Sequence, residues 1–113
     1  LPALRECRLQ EAGLSNAIAL FESKGLTSLL SGLDVLLKSD GVEIVGVYKI
    51  GGGIVACVAK GAANVLTLSI HEAVEKVKSL QGEVLGYQVI PDPHERLLDC
   101  LQAFYNEKVA SGL

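Results

Sequence analysis

The chain has no tryptophan and no methionine, and three Tyr and two Phe are all the aromatic residues among its 113 positions. A core built from it must therefore be aliphatic, assembled from Leu, Val, Ile and Ala rather than from rings. Basic charge is scarce as well: no run exceeds two neighbouring cations, and a net charge of −3 with a pI near 5.3 argues against a nucleic-acid partner. Cys7, Cys57 and Cys100 are odd in number and widely spaced. That excludes a disulfide framework or a metal cluster, and it fits a reducing compartment in which Cys57 serves as a small hydrophobe on a strand. No apolar run approaches the roughly 20 residues that a bilayer crossing needs, and charges stand where a signal peptide would have its apolar stretch. The expectation is a cytoplasmic protein with no membrane partner.

Chemical signatures are missing too. His71-Glu72 opens a zinc-protease pattern, but Glu75 occupies the place of the second histidine. The glycines at 51, 52 and 53 fit neither a dinucleotide fingerprint nor a phosphate loop, since no Gly-Lys-Ser or Gly-Lys-Thr follows. His94 has no Ser or Cys beside it to make a nucleophile pair. Neither an enzyme activity nor a cofactor nor a metal is expected.

Present instead is a surplus of aliphatic residues: 50% of the chain is hydrophobic. A single domain of this length buries about 65 per cent of its unfolded surface. Either a Leu-rich helix pair or surface buried between subunits accounts for the surplus. The most shaped stretch is 42–61, VEIVGVYKIGGGIVACVAKG. Two Val- and Ile-rich runs, 42–50 and 54–60, are parted only by Gly51, Gly52 and Gly53, which predicts a hairpin whose turn carries no side chains. Three glycines in succession are expected where φ is positive or where something must approach the backbone. Gly46, inside the first run, predicts a bulge or a close neighbour.

Around the hairpin the remaining elements follow from periodicity. Residues 16–22 read as a buried first strand. Over 25–38, Leu26, Leu29, Leu30, Leu33 and Leu37 fall on one helical face, with Lys38 in the last turn complementing the macrodipole. Asp40-Gly41 then turns the chain. A second helix after Gly61 has Asn64 as its cap and Leu66, Ile70, Ala73, Val74 and Val77 on its apolar face, and Gly82 ends it. Residues 83–90 form a fourth strand, which Pro91-Asp92-Pro93 forbids from continuing. A last helical pattern runs over 94–109 through Leu97, Leu98, Leu101 and Tyr105. Strand, helix, strand, strand, helix, strand packs most simply as an α+β fold: a four-stranded antiparallel sheet with helices mainly on one face, in the ferredoxin-like arrangement. An N-terminal extension (1–15) and a C-terminal helical tail (99–113) flank the domain (16–98). The open face of such a sheet, or its edges, needs cover that self-association would supply.

Taken together, FESKGL (21–26), LDVLLKSDGVEIVG (33–46), YKIGGGIVACVAKG (48–61), GEV (82–84) and VIPDPH (89–94) resemble the bacterial microcompartment shell-protein family of the single-domain, hexamer-forming, non-permuted type. The resemblance implies homo-hexamers that tile with other shell proteins around encapsulated enzymes. It implies that Ile50, Gly51, Gly52 and Gly53 form a loop at the six-fold axis, a pore for small polar metabolites. Backbone amides facing that axis would favour anions. Lys38 matches the family's edge lysine, and Pro91, Asp92, Pro93 and His94 match the corner that meets the adjoining hexamer. Here the chain departs from the family, which commonly has Arg between the two prolines. Aspartate cannot reproduce the donors of a guanidinium; it can pair with Lys38 across the edge, or weaken flat tiling. A shell protein with an iron–sulfur cluster at its pore would need a Cys in the turn, and none is there. The contrasting reading is a stand-alone ferredoxin-like regulatory domain that binds a small metabolite between subunits.

Overall fold

The computed structural model describes residues 16–110, with side chains through Phe104. The extension at 1–15, with Leu4, Cys7 and Leu14, lies outside the described residues, as do residues 111–113 and the side chain of Tyr105. In order, the elements are β1 (Asn16–Lys24), α1 (Leu26–Lys38), β2 (Glu43–Gly51), β3 (Ile54–Ala62), α2 (Ala63–Ser79), β4 (Glu83–Ile90) and α3 (Leu97–Ala110). The sheet has the order β2-β3-β1-β4, antiparallel at every pairing. This is the ferredoxin-like topology, with α1 and α2 packed on one face.

Alternation along β1 separates two cores. Ala17, Ala19 and Phe21 point toward α1 and α2, where they meet Leu29, Leu36, Leu66, Ile70 and Val74 in the main core. Ile18 and Leu20 point the other way and join Tyr48, Val58 and Ile50 beneath α3. The sheet face that the sequence leaves in need of cover is thus partly closed by the chain's own last helix. That helix starts at Leu97 rather than at His94, because the corner before it is a turn: His94 Nδ1 accepts the Arg96 N–H at 3.1 Å, and the His94 carbonyl accepts the Leu97 N–H at 3.0 Å. Burial pushes the thiol of Cys57 up to about 11, which keeps it a neutral hydrophobe on β3, whereas Cys100 is exposed on α3.

All five residues expected on the inner face of α2, Leu66, Ile70, Ala73, Val74 and Val77, are buried there. Its start differs from expectation. β3 runs directly into the helix with Ala62 as the cap residue, no side-chain cap forms, and Asn64 lies exposed one position inside. β3 stays paired with β1 through Ala62, which stands opposite Asn16, so the helix begins at Ala63 and Asn64 falls past the cap position.

Expectation fails more seriously on α1. Leu29 is buried and Leu33 packs against the core, but Leu26, Leu30 and Leu37 are 62%, 53% and 63% exposed. The reason is Gly32, which sits directly on the Phe21 ring: a Cβ there would fall 2.7 Å from Phe21 Cε1. This contact turns the Leu29, Gly32, Leu36 line inward and leaves a second apolar line facing out.

The far end of α2 closes with Gln81 at φ 62, Gly82 N–H bonded to the Val77 carbonyl at 2.9 Å and Gln81 N–H to that of Lys78 at 3.0 Å. This is a Schellman closure in which glutamine, not the neighbouring glycine, takes the left-handed position. Gln81→Gly is expected to raise stability by about 0.5–1 kcal/mol in denaturant melts, since it relieves the left-handed strain. Gly82→Ala is expected to destabilise, because its Cβ would fall 2.5 Å from Ser28 Oγ and 2.6 Å from Val77 Cγ1.

Candidate functional site

Gly51 pairs with Ile54, so Gly52 and Gly53 are the two central residues of the β2–β3 hairpin. Their φ values, 63° and 81°, are both left-handed, the pattern of a type I′ turn whose twist suits a hairpin. Gly51, at φ 120°, lies where side chains are strained still more. A Cβ at any of the three would meet nothing within 4 Å. Glycine is therefore demanded here by backbone conformation, and the space in front of the turn is open.

Two features hold this exposed turn in place. The Gly53 carbonyl accepts the Gly25 N–H at 2.8 Å, and Gly25, at φ 88°, is the residue that starts α1. On the α3 side, the half-buried Ile50 packs into the cluster that includes Leu97, Leu98 and Leu101. β2 carries one bulge at Val45 and another at Ile50. Just past the first, the Tyr48 ring folds back over Gly46, where a Cβ would lie 2.6 Å from its hydroxyl oxygen, and that hydroxyl donates to Gln102 Oε1 of α3 at 3.2 Å. Both alternatives raised by Gly46, the bulge and the close neighbour, are realised. Lys24 and Lys49 flank the turn, both exposed. Among the described residues no cluster of His, Cys, Asp or Glu has the makings of a metal site.

The expected edge residues lie at the opposite end of the domain. Starting beside the turn, α1 carries the chain about 20 Å away before reaching Lys38. β4 likewise begins opposite Lys24, at the turn end of β1, and finishes opposite Ile18, so the Pro91–His94 corner leaves the sheet at its far end. Lys38 forms an ion pair with Asp34 one helical turn back, at 2.8 Å, with both side chains mostly exposed. Such a pair is worth only a few tenths of a kcal/mol, so Lys38 can change partners at little cost. Asp92 is exposed and forms no ion pair with any described residue, Lys38 included.

Along the flank between turn and far end runs the outer line of α1: Leu26, Leu30 and Leu37. Exposed apolar residues also occur on β4, at the other side of the sheet, where Leu85 is 44% and Tyr87 is 50% accessible. Sequence reasoning missed the role of Gly25 by counting it into the helix pattern. A glycine just before an apolar helical run was the available signal.

The profile of the BMC domain family matches residues 17–93. The carboxysome shell protein CcmK2 of Thermosynechococcus vestitus is 32% identical over 94 residues, which span 82% of this chain and 92% of that protein. The bacterial microcompartment shell protein PduA of Citrobacter freundii is 33% identical over 78 residues, 69% of this chain and 83% of the relative. Among solved structures, a microcompartment protein from Desulfitobacterium hafniense superposes with a TM-score of 0.66 at 28% identity and covers 74% of this chain. The chain spans 47% of that longer molecule.

Proposed function

The chain belongs to the BMC domain family of bacterial microcompartment shell proteins, and from that premise we propose that it closes into cyclic hexamers with the turn at Ile50, Gly51, Gly52 and Gly53 on the six-fold axis. Its role is that of a structural shell subunit and not an enzyme, the role that the names of its relatives state. It acts at the shell of a microcompartment, beside other shell proteins and around enclosed enzymes.

The observation that carries the hexamer reading is the polarity of the domain. One end bears an open turn with no side chains; the other bears Lys38 and the Pro91–His94 corner; the exposed Leu26, Leu30 and Leu37 run from the first toward the second. In a ring each subunit offers two different surfaces to its neighbours, so contact is heterologous and runs radially. The α1 line is a surface of that kind, and the apolar residues on β4 are on the other flank. With six turns around the axis the opening is lined by backbone, and small polar metabolites pass by size and by hydrogen bonding to amides. At the rim Lys38 and the Pro91, Asp92, Pro93, His94 corner meet the next ring.

Light scattering on the purified chain is expected to give six times 11.9 kDa, and Leu30→Asp to shift the mass toward that of a single chain without loss of secondary structure. A monomer at all concentrations in the unaltered protein would sink the ring reading. Gly52→Trp strains the left-handed turn at φ 63° but meets nothing beyond its chain neighbours within 4 Å, so the domain is expected to fold with some loss of stability while the indoles slow the passage of a small polar solute into assembled shells. Unchanged passage would remove the turn from the pore. Asp92→Arg supplies the multidentate donor found in the family and is expected to increase sheet or tube formation in electron micrographs; unaltered assembly would count against Asp92 as a limit on tiling.

A further inference from the structure

Between the sheet and α3 lies a cleft of about 250 Å³, walled by Leu20, Ala56, Val58, Leu101 and Phe104, with Tyr48 and Ile50 toward the glycine turn. The side chain of Glu22 is the one acidic group in this lining. It pairs across strands with Ala56 and shares its face with Ile18 and Leu20. Half-buried, it makes no hydrogen bond or ion pair with any described residue. Lys49 also borders the cleft, but it stands opposite Val55, which packs into the main core, so alternation places its side chain on the other face of the sheet.

A half-buried carboxylate on the wall of an otherwise apolar cleft favours an occupant that brings a charged donor to it. We propose that the cleft binds a small organic cation, an alkylammonium whose hydrocarbon part fills the space between Leu20, Val58 and Leu101 and whose N–H groups donate to Glu22. Its volume lies just below the usual range of small-molecule pockets, about 300–1,000 Å³, and suits a chain of a few carbons. A neutral alcohol of the same length would gain the apolar contact alone, and a carboxylic acid anion would be repelled by Glu22. The cleft is formed within one chain, so the inference stands apart from the ring reading and its test is indifferent to oligomeric state.

The test is an NMR titration of the full chain with n-butylammonium, 1-butanol and n-butyrate, following the amides of Leu20, Val58 and Leu101. Butylammonium is expected to bind about tenfold more tightly than butanol, as a charge-assisted hydrogen bond allows, with butyrate weakest. Glu22→Gln is expected to bring butylammonium down to the level of butanol and leave butanol unmoved. Leu101→Trp fills the cleft and abolishes binding of all three. Equal affinities for the three probes, no binding of butylammonium, undiminished butylammonium binding in Glu22→Gln, or binding that survives Leu101→Trp would each overturn the assignment.

Discussion

One hydrogen bond ties the working parts of this molecule together: the Gly25 amide donating to the Gly53 carbonyl. Without it the three positive-φ glycines have no side-chain contact of their own and are held only from the α3 side, through Ile50. With it the tip is joined to the point where β1 ends and α1 begins. The bond requires glycine at both ends, since Gly25 has φ 88° and Gly53 has φ 81°. It also fixes direction, because a helix that starts at the turn must carry its other end, and Lys38, away from it. The separation of a proposed axis from a proposed rim follows from this one junction and the length of α1.

The sequence shows its fold most clearly where burial is one-sided and unshared. α2 is such a case: five positions at helical spacing were expected inside, and all five are buried. The strands were equally plain: β2, β3 and β4 are runs rich in Val and Ile that end at glycine or proline, and β1 is short, apolar and bounded by polar residues. α1 was misread because its leucines spread over two lines at once, and periodicity does not say which line faces the subunit's own core. That decision belongs to Gly32 and Phe21, a contact between residues eleven positions apart whose fit only the packed structure reveals. The cap at Asn64 failed for a similar reason, being overruled by the pairing of β3 with β1, which holds the chain extended through Ala62. As for the site, the glycine turn was legible from composition, while its anchoring was not. The partners that hold it, Gly25 and the α3 leucines, are distant in sequence, and nothing in their local patterns names the turn.

The two faces of the sheet divide the labour unequally. The helix side holds most of the buried volume and has a single buried side-chain oxygen without a partner among the described residues, Ser23 Oγ. On the other side, the cover among the described residues is α3, through a smaller cluster and the Tyr48–Gln102 hydrogen bond. The thinner cover leaves the cleft, and it also reaches the turn, because Ile50 belongs to that cluster and directly precedes Gly51. Whatever fixes α3 against the sheet therefore also fixes the last side chain before the glycines.

Charge at the far end sets a different constraint on assembly. A guanidinium brings several directed donors to one acceptor; an exposed Asp92 meeting an exposed Lys38 lacks them. Solvent-exposed ion pairs are screened by salt, so a rim joined by that pair would weaken as salt rises. The apolar line of α1 is indifferent to salt. In the proposed assembly the ring is thus held by a hydrophobic contact and the sheet of rings by an electrostatic one, and the two levels separate: rings persist under conditions in which tiling fails.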